Sequence, residues 1–182
     1  MVGLANAGGD TTNAIEQASE FGIVAGGQKL AALLLFINDV HSLGLKTAQG
    51  LSFTESFYWD MNDKTRAWGK KFAERDRGIH PTMIHAGVYA AVLHYLKAVD
   101  ALKTDDGTKV IAKMKETPTD DPLFGKGTIR ADGRKIHDMY LFEVKKPAES
   151  KAPWDLYKLR TTIPAAQAFR PLDQGDCPLV KK

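Results

Sequence analysis

The chain has 182 residues, 43% hydrophobic and 26% charged, proportions that build an ordinary globular core and exclude a disordered chain. Its 25 basic and 22 acidic residues leave a net charge of +3 without long runs of one sign, so bulk charge signals no nucleic-acid partner. No stretch approaches the roughly 20 apolar residues that span a bilayer, and the first residues carry no basic region with an apolar core and cleavage site behind it, so no secretory leader is read in them.

Val2 to Asn6 reads as the end of a buried strand, and apolar residues then recur at helical spacing at Ala14, Ile15, Ala18 and Phe21, with Gly22 placed to close the helix. The run Leu30 to Ile37 suits a second strand covered on both faces, so a parallel sheet is expected. A short helical turn is expected over 39–43. Gly50-Leu-Ser-Phe-Thr reads as a third strand, running into the aromatic connector Glu55-Ser-Phe-Tyr-Trp-Asp60.

From Asn62 the pattern is helical. A helix is predicted over Asp63 to Arg75 with Trp68 and Phe72 on one face. A long one follows Pro81 and ends near Leu102, with Ile84, Val88, Ala91, Tyr95, Val99 and Leu102 in one apolar stripe and Ala86, Ala90, Leu93 and Leu96 in a second. Apolar on two faces, it is expected to be largely buried. Lys109 to Glu116 is the next helix, stopped by Thr117-Pro118. Strands return at Gly127-Thr-Ile-Arg, at Met139 to Lys145 and at Trp154 to Arg160, the first followed by an Asp132-Gly133 turn. Proline and glycine mark a tail from Pro164. The single Cys177 excludes an internal disulfide and a multi-thiolate zinc site, leaving a free thiol or a bridge to a partner segment.

The stretches Gly3-Leu-Ala-Asn-Ala-Gly-Gly-Asp-Thr-Thr-Asn-Ala-Ile, Gly50-Leu-Ser-Phe-Thr-Glu-Ser-Phe-Tyr-Trp-Asp, His85-Ala-Gly-Val-Tyr-Ala-Ala-Val and Lys126-Gly-Thr-Ile-Arg-Ala-Asp-Gly-Arg occur in an order that resembles the C-terminal half of periplasmic solute-binding proteins of ABC importers, the branched-chain amino acid receptor type. The resemblance implies an α/β fold: a three-layer parallel-sheet sandwich, one type I periplasmic binding protein lobe plus part of the second. It assigns residues 1–59 and 138–163 to the second lobe, 60–136 to the returning part of the first, and 164–182 to a C-terminal tail. It also implies a periplasmic, non-catalytic protein without cofactor that hands a small polar solute to a membrane permease. Most of the first lobe has no counterpart here, so the chain is expected to be a fragment. A sheet that has lost strands exposes an unpaired edge, and self-association or exchange of elements between copies is expected.

The resemblance makes the Gly8-Gly9-Asp10-Thr11-Thr12 corner a ligand wall. A helix N-terminus leaves amide groups unpaired and carries partial positive charge, and open α/β sheets take ligands beyond the carboxyl ends of their strands. Asp10 taken alone reads as the N-cap of the helix. Asn38 and Asp39, after the second strand, suit a solute's ammonium or hydroxyl group and also suit plain turn chemistry. Tyr58 in the connector is the aromatic candidate, with interior packing as the alternative. Branched-chain amino acids, amides and aromatic carboxylates all fit such a wall. The competing class is a Rossmann-like enzyme half holding a cofactor phosphate at the Gly-Gly-Asp-Thr turn. That reading needs a phosphate bound at residues 8–12 and an acid or base facing it, and His85 and His94, nine residues apart on one helix, point to opposite sides and cannot share a metal.

Overall fold

The computed structural model describes residues 1–180; Lys181 and Lys182, at the end of the expected tail, lie outside the described residues. In chain order the elements are β1 (Val2–Leu4), α1 (Gly9–Glu20), β2 (Leu30–Ala32), α2 (Ile37–Leu43), α3 (Leu45–Ala48), β3 (Ser52–Glu55), α4 (Asp63–Arg75), α5 (Met83–Leu102), α6 (Gly107–Glu116), β4 (Thr119–Asp121), β5 (Gly125–Ile129), β6 (Lys135–Ile136), β7 (Met139–Val144), β8 (Tyr157–Ile163) and α7 (Ala165–Ala168). They fall into two compact units, residues 1–83 with 140–162, and residues 84–139 with 163 onward.

The first unit is built on a five-stranded sheet of order β1-β2-β3-β7-β8. β1 pairs parallel with β2, and β2 with β3, while β7 joins β3 antiparallel, Phe142 opposite Phe53. Parallel pairing demands a crossover, and α1 supplies the first one. It ends in a Schellman motif: the Ile23 amide reaches the Ala18 carbonyl at 2.9 Å and the Gly22 amide the Ser19 carbonyl at 3.2 Å, with Gly22 at φ 69°. The core gathers Ile15 of α1, Leu30 and Ala32 of β2, Leu35, Ile37, Val40, Phe53, Tyr58, Phe142, Val144, Leu156 and Tyr157. The Asn62 side chain caps α4 by accepting from the Lys64 and Thr65 amides at 3.0 and 3.1 Å, and the buried Thr65 hydroxyl oxygen accepts from the Asn62 amide at 3.0 Å.

The second unit holds α5, α6, the antiparallel sheet β4-β5-β6 and α7. The Asp132-Gly133 turn joins β5 to β6 as its residues demand, Gly133 at φ 85°. Gly127 lets the ladder close, since a Cβ there would stand 2.6 Å from the Ile136 carbonyl oxygen and 2.9 Å from Thr119 Oγ1. Cys177 is a free thiol. Among the described residues no helix is long and apolar enough to cross a membrane.

Two expectations are corrected. The second strand stops at Ala32, because Leu33 and Leu34 are exposed and Phe36 already stands at the head of α2. Helix α5 is not largely buried. Its inner face is the row Ala86, Ala90, His94 and Ala98, whereas Val88 of the first predicted stripe is 60% exposed and Leu96 of the second 54%.

Candidate functional site

β1 and β2 lie side by side and run the same way, Leu4 opposite Ala32, and the Leu33 amide extends the pairing to the Leu4 carbonyl at 3.0 Å. The loops that follow therefore leave the sheet at one end, the carboxyl end, and the helices they open, α1 and α2, touch. The end of β3 arrives at the same edge, since β2 and β3 are also parallel. Loop ends grouped at the carboxyl edge of parallel strands are where open α/β sheets hold ligands.

The corner after β1 is shaped by Gly8, whose φ of 56° and ψ of −134° are open only to glycine at little cost. Gly8, not Asp10, is the N-cap, and Asp10 sits inside the first turn, because the glycine lets the chain turn two residues earlier. No side chain caps α1. Gly9 and Asp10 are exposed, with the Asp10 carboxylate beside the positive end of the helix. Thr11 is fully buried and its hydroxyl donates to Asn6 Oδ1 at 3.0 Å, while Asn6 Nδ2 donates to the Asp10 carbonyl at 3.1 Å. Thr12 donates its hydroxyl proton to the Gly9 carbonyl at 2.9 Å. Both threonines thus brace the corner, and its outward groups are Gly8, Gly9 and Asp10.

At the second loop Asn38 is exposed, and Asp39 Oδ2 accepts from the Phe36 amide at 2.9 Å, closing the first turn of α2. Burial raises the Asp39 pKa against the lowering effect of that amide. Tyr58 packs inward, 5% exposed: its hydroxyl donates to the Trp154 carbonyl at 3.0 Å and accepts from the Leu156 amide at 3.1 Å. Its ring stacks on Tyr157 at 4.7 Å, and burial pushes the phenol pKa up. Gly8, Gly9, Asp10 and the Asn38-Asp39 pair therefore come to one end of the sheet, whereas Thr11 and Tyr58 are spent on internal bonds.

The sequence placed Glu55 at the start of the aromatic connector and gave it no role of its own. It ends β3 and is 1% exposed, accepting a hydrogen bond from the equally buried Tyr157 hydroxyl at 3.2 Å. Burial drives its pKa well above the usual glutamate value; the Tyr157 bond opposes this and the nearby Asp39 charge adds to it. The signal was there in the period of two that puts Leu51, Phe53 and Glu55 on one buried face.

The family model for periplasmic binding proteins matches residues 1–151. A periplasmic binding protein of Burkholderia mallei superposes with a TM-score of 0.92 at 52% identity, over 98% of this chain and 47% of that one. A branched-chain amino acid ABC transporter periplasmic ligand-binding protein of Burkholderia xenovorans does so with a TM-score of 0.85 at 41% identity, over 96% and 46%. A solute-binding protein of Rhodopseudomonas palustris, solved with p-hydroxybenzoic acid, shares the fold, with a TM-score of 0.71 at 22% identity over 87% and 43%. The chain thus spans about half the length of these solved proteins. Comparison with curated protein sequences gives no match.

Proposed function

This chain belongs to the periplasmic binding protein family, and we propose that it forms one wall of a receptor that binds a small polar solute, an amino acid or an organic carboxylate, in the periplasm and delivers it to an ABC transporter permease without chemical change. One observation carries the reading: loops after neighbouring parallel strands bring Gly8, Gly9, Asp10, Asn38 and Asp39 to one carboxyl edge of the sheet. The relative from Burkholderia xenovorans, a branched-chain amino acid transporter ligand-binding protein, and the one from Rhodopseudomonas palustris, solved with p-hydroxybenzoic acid, support the solute class.

In this proposal residues 1–59 and 138–163 are the second lobe, 60–136 the returning part of the first, and 164–182 the tail. Parent sequence beyond this chain supplies the opposite wall. Solute touches both walls only when they close, so it stabilises the closed form, and one wall alone keeps a small part of the affinity. Calorimetric titration of this chain with L-leucine is expected to give a dissociation constant no tighter than about 1 mM. Micromolar binding would overturn the two-wall reading.

The exposed apolar side chains of α5, Val88, Val92 and Leu96 at 60, 50 and 54%, suit a face covered in a longer chain. Alone, this chain self-associates through such faces. Sedimentation velocity at micromolar concentration is expected to show dimers or larger species, and a monomer throughout would contradict it.

A further inference from the structure

The first unit carries a cavity that shares no residue with the loops after β1 and β2. It has a volume of about 670 Å³ and lies against α4, lined by the aromatic Trp59 and His80 and by the charged Arg66, Lys70, Glu74 and Arg77. Three features make it a built site. Residues 66, 70 and 74 recur every four positions and form one stripe of α4, so their side chains line a common edge. Gly69 brings that helix against the aromatic wall, for a Cβ there would stand 3.3 Å from Trp59 Cβ. Trp59 Nε1 donates to the Trp154 carbonyl at 3.0 Å, and the Trp59 and His80 rings lie 4.1 Å apart, so the indole is held in place.

The charges of the rim are unequal. Arg66 is held by Asp60 at 2.9 Å and Asp63 at 2.7 Å, which balances it locally. Lys70 and Arg77 form no ion pair among the described residues, and Glu74 is the only acid lining the cavity. Arg77 also occupies an unusual place. The Gly78 amide reaches the Ala73 carbonyl at 2.8 Å, which makes residue 77 the left-handed residue of a Schellman turn, and it is an arginine at φ 52° where glycine is the ordinary choice. His80 Nδ1 is buried without a hydrogen-bond partner, and burial lowers the pKa of that ring, against the opposing pull of Asp60.

We propose that this cavity is a second binding site, for a flat aromatic carboxylate whose ring lies against Trp59 and His80 and whose charge meets Lys70 and Arg77. A neutral aromatic wall offers area without a competing charge, and two unpaired cations supply the anion contact. Glu74 works against it.

The test is titration of the 182-residue chain with 2-naphthoate, followed by calorimetry and by amide and indole NMR shifts. Controls are acetate, which has the charge without the ring, and 2-naphthol, which has the ring without the charge. The expected result is saturable binding tighter than about 1 mM for 2-naphthoate and weaker for both controls, with shifts at the Trp59 indole N–H and the Gly78 amide. The double variant Lys70→Gln with Arg77→Gln, both at exposed positions, should weaken binding roughly tenfold, and Glu74→Gln should tighten it about twofold. Absence of saturation, an unchanged constant in the double variant, or shifts confined to Gly8–Thr12 and Asn38–Asp39 would overturn the proposal.

Discussion

Replacing Glu55 by glutamine should change how stability depends on pH. The carboxyl is 1% exposed and its pKa in the folded chain is well above the usual value, first through burial. In the unfolded chain it titrates near the ordinary value of about 4.3. Between those two values the folded state keeps a proton that the unfolded state has lost, so unfolding free energy falls as pH rises, by up to about 1.4 kcal/mol per pH unit. Above the folded value the loss levels off. Glutamine has the same shape, never ionises, and still offers Tyr157 an acceptor oxygen, so Glu55→Gln lacks this slope. The stability difference in favour of the variant should therefore widen as pH rises above the unfolded value, at no more than about 1.4 kcal/mol per pH unit, until the folded value is passed. Urea denaturation followed by tryptophan fluorescence suits the question, because Trp59, Trp68 and Trp154 all lie in the unit that holds Glu55. Asp39, raised in the same direction, is present in both proteins, so its own slope largely cancels in the difference. Parallel stability curves for the two proteins from pH 5 to 8 would refute the reasoning.

Three further outcomes are expected. Gly127→Ala should destabilise the β4-β5-β6 sheet by about 1–3 kcal/mol, since the new Cβ meets the Ile136 carbonyl oxygen at 2.6 Å, and faster amide exchange at Thr128 and Ile136 would report it; unchanged exchange would count against the packing described. Gly8→Ala forces a side chain into φ 56°, ψ −134° and should cost about 1–2 kcal/mol in denaturant unfolding, whereas a neutral result would mean that the corner relaxes. Asn62→Ala removes the acceptor for two first-turn amides of α4 and should cost about 1 kcal/mol, with Asn62→Ser restoring most of it.

How far the fold was legible depended on whether local chemistry decided it. Asp63 to Arg75 was read residue for residue: Trp68 and Phe72, four apart, mark one helical face, and the structure starts the helix at the same place with the Asn62 side chain as its cap. Gly22 and Asp132-Gly133 were equally plain, since each demands a backbone conformation that few residues adopt. The run from Leu30 to Ile37 was misread in its second half: unbroken apolarity does not mark where a strand gives way to exposed loop, and only the Asp39 bond to the Phe36 amide starts α2 there. The burial of α5 was overestimated because apolar residues on two faces show what a helix needs, not what covers it. At the candidate site the glycine corner and Asn38-Asp39 could be located by topology. The inward turn of Thr11 and Tyr58 depended on partners at Asn6, Trp154 and Leu156, and the Tyr58 partners are nearly a hundred residues away.

The central claim is that the carboxyl edge of the parallel strands is the solute-facing wall, and mapping the backbone amide shifts of this chain during titration with L-leucine tests it most directly. The account predicts small, progressive shifts concentrated at Gly8–Thr12 and Asn38–Asp39, still unsaturated at about 1 mM. Shifts confined to other parts of the chain, with both loops unmoved, would contradict it.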